Sequence, residues 1–163
     1  MLDNFDKKFK AKYREMIANL PVEMDMDKVV IMASIIEREA KDPDDRHIIA
    51  GVLYNRLKSK DASLRKLQVD ASIQYILLKN TGSYKERVLY EDLEVDDPYN
   101  TYLYEGLPPG PICCPGEASI KAAVNPDDTP YYYYVAKNDG SGGHAFAKTY
   151  KEHQANIKKY SQR

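Results

Sequence analysis

Apolar and polar positions alternate at helical spacing over the first half of the chain. Residues 4–19 place Phe5, Phe9, Tyr13 and Ile17 on one face of an amphipathic helix, and Pro21 ends it. Residues 26–40 predict a second helix, with Asp25 or Asp27 as its cap. Its buried stripe is Val29, Met32, Ala33, Ile36 and Ala40. A third helix is expected over 43–59, opened by Asp42 as N-cap and Pro43 in the first turn. Ile48, Ile49, Val52, Leu53 and Leu57 form its apolar face. A shorter helix fits 71–79. Residues 80–115 read mostly as loop, punctuated by "DDPYNTY" and "GLPPGPICCPG". A helix over 116–124 follows, where Ala118, Ala122 and Ala123 suggest close packing. "YYYYVA" (131–136) then reads as a strand, "KNDGSGG" as a turn and "HAFA" (144–147) as its hairpin partner. A last helix covers 148–161. The pattern is α+β, mostly helical with a small antiparallel β-hairpin.

Length and charge narrow the classes of function. The 163 residues suit a single domain with its own core. With 43% apolar residues, the chain is neither disordered nor embedded in a membrane. A formal net charge of -1, with acids and bases interspersed, argues against general nucleic-acid binding. No stretch of about 18 apolar residues occurs. The opening "MLDNFDKKFK" lacks the apolar core of a signal peptide, so a cytosolic protein and a piece parted from its targeting segment are both open. Cys113 and Cys114 are adjacent, with no CxxC metal spacing, and read as small apolar loop residues. The aromatic content is unusual: 14 Tyr, 3 Phe and no Trp. Tyrosine offers a flat apolar face and a polar tip, which suits sugars and also protein interfaces.

The second helix ends in "IERE", with carboxylates at Glu37 and Glu39. At about 100° per residue, Glu39 lies roughly 60° from Ile36, on the flank of the buried stripe. Glu37 turns about 100° away, towards solvent, and Arg38 points to the opposite side. Glu39 therefore reaches the edge of the core at a helix C-terminus, where the helix dipole disfavours negative charge. Apolar surroundings there should raise its pKa, as a general acid in glycosidic cleavage requires. The same position would also suit an ordinary ion pair with a neighbouring Arg or Lys, or a solvated side chain.

"MASIIEREA", "AGVLYNRL", "LQVD", "YNTYLYEGLPPGPI", "PGEASIKAAVNP" and "YYYYVAKNDGSGGHAFAKTYKEHQANI" occur in that order. Together they resemble the catalytic domain of the MltG/YceG-like endolytic murein transglycosylases over about residues 26–157. The resemblance implies a lysozyme-like helical core. It also implies internal cleavage of peptidoglycan glycan strands at the MurNAc-β-1,4-GlcNAc bond, leaving a 1,6-anhydro-MurNAc end. In the family pattern the second Glu of the E-x-E block is catalytic, acting as acid and then base, and it maps to Glu39. The implied reaction uses no metal and no cofactor, and His47, His144 and His153 have no recognisable ligand spacing. On this reading, residues 1–25 form an N-terminal helix leading into a catalytic domain over 26–163, one globular unit overall. Family members usually carry a transmembrane helix and a further extracytoplasmic region. The chain is thus expected to be an excised domain that works at the outer face of the cytoplasmic membrane. Its expected partners are peptidoglycan strands and the cell-wall synthesis machinery.

By the same resemblance, Gln68 and Asp70 of "LQVD" line the cleft. Asp70 also fits a helix N-cap over "ASIQ". The block departs from the family, which usually has Ser or Thr where Val69 stands and Pro where Ala71 stands. Asn100, Thr101 and Tyr102 fall in a polar loop and are expected sugar contacts, with loop-stabilising hydrogen bonds as the alternative. Asn55 and Arg56 read as structural, and His144 as a hydrogen-bonded framework residue able to reach the cleft. Two other functions stay open: a muramidase on the same bond, with water as nucleophile and Asp70 as the carboxylate to check, and a glycan-binding module without catalysis.

Overall fold

A computed structural model describes residues 2–160, and the side chains of Lys7 and residues 11–160. The first helix, α1 (Leu2–Ala18), carries the expected stripe through Tyr13, which is buried, and Ile17, which packs on the core. Phe5 and Phe9 lie outside the described side chains.

The second helix, α2 (Met26–Glu39), is capped by Asp25, whose side chain accepts from the Lys28 N–H at 2.8 Å. The expected stripe is buried, and so are Ile31, Ser34 and Ile35. Burial all round follows from its place: α2 packs against α1 and against α3 (Arg46–Leu57), α5 (Asp70–Thr81) and α6 (Glu117–Val124). Ser34 tolerates the interior because its hydroxyl donates to the Ile31 carbonyl at 2.7 Å and accepts from the Ile112 N–H at 3.0 Å.

The third helix is divided. Asp42 caps a 3-10 turn over Pro43–Asp45, accepting from the Asp44 N–H at 3.0 Å, and α3 begins only at Arg46. All residues from Ile49 to Arg56 are buried, not one apolar face. Gly51 makes this possible, because a Cβ there would sit 2.3 Å from the Asp127 carbonyl oxygen. Buried Asn55 donates to the carbonyls of Thr129 (2.6 Å) and Tyr131 (2.9 Å), tying α3 to the segment before the hairpin.

A four-residue helix, α4 (Ala62–Arg65), breaks the following loop and is capped by Asp61. It is too short and polar to leave a periodic signal. Helix α5 ends at Gly82 in the left-handed conformation, φ 76°. A 3-10 turn spans Tyr90–Glu94 within the otherwise irregular segment. In α6, Ala122 and Ala123 are buried as expected, whereas Ala118 faces solvent and Ser119 takes the inner place. The exchange arises because Ser119 donates to Glu37 across the helix interface.

Strands β1 (Tyr133–Ala136) and β2 (His144–Ala147) pair antiparallel, with Tyr134 opposite Phe146 and Ala136 opposite His144. Helix α7 (Tyr150–Tyr160) covers the hairpin. The α+β reading holds. Both cysteines are free, and the Cys113 thiol donates to the Ser34 carbonyl at 3.3 Å.

Candidate active site

A cleft of about 710 Å³ opens between the C-terminal end of α2, the start of α5 and the hairpin. Glu39 is the last residue of α2, and the chain turns to extended backbone at Ala40. Its carboxyl is partly accessible from the cleft and otherwise enclosed. Oε2 accepts from the Tyr134 hydroxyl at 3.0 Å, and the Ala71 N–H reaches Oε1 at 3.4 Å. Burial pushes the Glu39 pKa up to about 7. The Tyr134 hydrogen bond works against that rise, and the negative charge of Asp70 adds to it. The protonated form of this carboxyl is therefore well populated near neutral pH, unlike that of an ordinary glutamate.

Glu37 has a different role. Its Oε2 accepts from the Ser119 hydroxyl at 2.6 Å and the Gly116 N–H at 3.1 Å, so it fastens α2 to α6. The Ser119 hydrogen bond holds its pKa below the ordinary value. The helical wheel separates the two glutamates correctly, but the solvent expected around Glu37 is replaced by the neighbouring helix.

Gln68, Asp70 and Tyr102 line the cleft with Glu39. Gln68 has φ 54°, the one non-glycine positive φ among the described residues. Its side-chain oxygen accepts from Arg56 Nη2 at 2.9 Å, and its N–H donates to the Thr101 carbonyl at 3.0 Å. Asp70 is the first residue of α5, not its N-cap, which is Val69. The Asp70 side chain instead accepts from the Tyr102 hydroxyl at 2.5 Å. Burial is the main reason the Tyr102 hydroxyl holds its proton far above the usual tyrosine range, and the bond to Asp70 adds to it.

Asn100 and Thr101 do not line the cleft, which corrects the expectation of direct sugar contacts. Asn100 is fully buried; its amide donates to the carbonyls of Leu93 (2.9 Å) and Val95 (2.8 Å) and accepts from the Tyr102 N–H (2.9 Å). Thr101 is buried too, its hydroxyl accepting from the Val69 N–H at 3.0 Å and pairing with Ser72 at 2.9 Å. Both residues fold the loop that presents Tyr102 and bind it to "LQVD".

Three further residues stand out in the walls. Tyr134, on β1, was hidden in sequence among four consecutive tyrosines, and only the hairpin register shows which one meets Glu39. His144 lines the cleft with its Nδ1 2.9 Å from Asp45 Oδ2, and its ring packs edge-on against Tyr134 at 5.5 Å. Arg56, almost fully buried, donates to the carbonyls of Tyr132 (3.0 Å) and Lys66 (2.7 Å) as well as to Gln68.

The sequence profile of the YceG-like family matches residues 1–159. The chain belongs to the YceG-like family. Among its relatives, an endolytic murein transglycosylase of Bacillus subtilis is 49% identical over 133 residues, covering 82% of this chain and 34% of that protein. One of the same description from Streptococcus pneumoniae is 30% identical over 158 residues, covering 96% of this chain and 27% of that protein. A crystal structure of a YceG-like protein from Listeria monocytogenes superposes with a TM-score of 0.76 at 43% identity, covering 90% of this chain and 44% of that one. The chain thus spans about a third of the length of the curated relatives it matches.

Proposed function

We propose that this chain cleaves murein glycan strands internally at the MurNAc-β-1,4-GlcNAc bond, with Glu39 as acid and then base. The observation that carries the reading is the Glu39 carboxyl, protonated near neutral pH and open to a cleft able to take sugars. The transglycosylase relatives support it. Glu39 carries the transferable proton, with the Tyr134 hydroxyl held against its Oε2. That proton passes to the glycosidic oxygen as its bond to the MurNAc anomeric carbon breaks, and positive charge builds on that carbon. The new carboxylate, stabilised by the Tyr134 hydroxyl, takes the proton from the MurNAc C6 hydroxyl, whose oxygen bonds to the same carbon. The product is a 1,6-anhydro end, and Glu39 regains its proton. Gln68, Asp70 and Tyr102 bind sugar hydroxyl and acetamido groups, while Asn100 and Thr101 hold Tyr102 in place.

Asp70 favours a second reading. It shares the cleft and its charge is felt at Glu39, so it could guide a water to the anomeric carbon and give hydrolysis. Mass spectrometry of peptidoglycan digests decides between the two. Products one water lighter than muramidase products, lost with Glu39→Gln, are expected; reducing MurNAc ends would move the assignment to hydrolysis. Equal cleavage by Glu39→Gln would remove Glu39 from both.

The substrate places the site of action outside the cytoplasmic membrane, near cell-wall synthesis proteins. No helix among the described residues is long and apolar enough to cross a membrane, so a membrane tether, as the family resemblance implies, would belong to other parts of a longer protein. Fractionation of cells making the full-length product should recover it with the membrane; recovery in the cytosol would refute this placement.

A further inference from the structure

Arg38 and Lys41 flank Glu39 at the C-terminal end of α2, are exposed, and line the same cleft. The carboxylates nearest to them in sequence are engaged elsewhere. Glu37 is held by Gly116 and Ser119, Glu39 by Tyr134, and Asp42 by the Asp44 N–H. Among the described residues, neither cation forms an ion pair. The Arg38 guanidinium lies over the Tyr84 ring, 5.2 Å from its centroid, which holds it without neutralising it. The other cations of the cleft are committed: Lys85 to Asp92 at 2.6 Å, and Arg56 to backbone carbonyls. The charge of Arg38 is felt at Glu39, as the last of the causes acting there, and a chain of net charge -1 thus presents two positive charges without an ion-pair partner beside its reactive carboxyl. Balancing the helix dipole would be served by cations on any side of the helix end; these two line the cleft, Arg38 by reaching over Tyr84 from the side that the helical wheel turns away from the buried stripe.

We propose that Arg38 and Lys41 form a subsite for the carboxylates of the peptide stem borne by the MurNAc that reacts at Glu39. The proposal rests on the glycan-cleaving reading above. In murein the MurNAc lactyl group is amide-linked to its stem, so the glycan backbone is neutral and its negative charge lies on stem carboxylates. The stem branches from the very sugar whose anomeric carbon meets Glu39. Its carboxylates therefore fall beside the residues that neighbour Glu39, and stems with free carboxylates are preferred over amidated ones.

The test uses a GlcNAc-MurNAc tetrasaccharide with L-Ala-D-Glu stems, prepared with the stem carboxylates free or as carboxamides. Binding is measured by calorimetry to the chain carrying Glu39→Gln, so that cleavage does not intervene. The free-carboxylate glycan is expected to bind about 3- to 10-fold tighter at low salt, as two exposed charge pairs allow. The gap should narrow as salt rises and close when Arg38→Gln and Lys41→Gln are added, through weaker binding of the carboxylate form. Both positions are exposed, and an unchanged thermal midpoint would confirm that the variant folds. Equal binding of the two glycans, or a gap that survives both substitutions, overturns the subsite alone. No binding of either glycan overturns the glycan-site reading with it.

Discussion

Glu39 is held where its ionised form is disfavoured, and that has a thermodynamic consequence. Its folded pKa of about 7 lies above the ordinary 4.5, so the folded state binds the proton more tightly than the unfolded chain. Stability contributed by this group is therefore greatest below about pH 4.5 and falls as pH rises towards 7. Glu39→Gln, which cannot ionise, should raise stability by about 2–3 kcal/mol at pH 8 and by much less at pH 4. Urea denaturation at the two pH values checks this, and an equal effect at both would contradict the raised pKa. Tyr134→Phe removes the hydrogen bond that favours the carboxylate. Its alkaline rate limb should then shift to higher pH than the parent's. The place of Glu39 at the edge of the core was legible in sequence, because helix spacing fixes which side of α2 it occupies; its catalytic role came only from the family resemblance. Tyr134 was not legible, because alternation in "YYYYVA" offers no unique register until β2 pairs with it.

At the scale of elements, the chain uses buried polar side chains as joints. Asn55 and Arg56 tie α3 to the approach to β1, Glu37 ties α2 to α6, and Asn100 ties the 93–102 loop to itself. Periodicity finds the long helices well, since their apolar faces repeat. It cannot find the joints, whose partners lie on distant backbone carbonyls. This is why the expected single face of α3 became burial on all sides, and why Asn100 read as a sugar contact. Asn100→Ala strands two carbonyls and an N–H in the interior and should cost about 2–4 kcal/mol. Gly51→Ala forces a methyl to within 2.3 Å of the Asp127 carbonyl oxygen and should cost about 1–3 kcal/mol by displacing that segment. Chemical denaturation measures both, and losses under about 0.5 kcal/mol, typical of plain surface changes, would refute these roles.

For the whole molecule, the fold brings residues from α2, the 67–71 segment, the 100–102 loop and the hairpin to one cleft. The α+β class and the order of elements were legible in the sequence; how the loop and hairpin close over α2 was not, because those contacts are long-range. What they create is a carboxyl whose pKa burial raises to about 7, set in the wall of an open cleft. The most direct measurement is the rate of murein cleavage from about pH 5 to 9, for the parent chain and for Glu39→Gln. A parent rate that falls with a midpoint near the Glu39 pKa of about 7, and a variant slower by at least about 10² at every pH, is the predicted result. A variant as fast as the parent, or a parent rate indifferent to pH across that range, would contradict it.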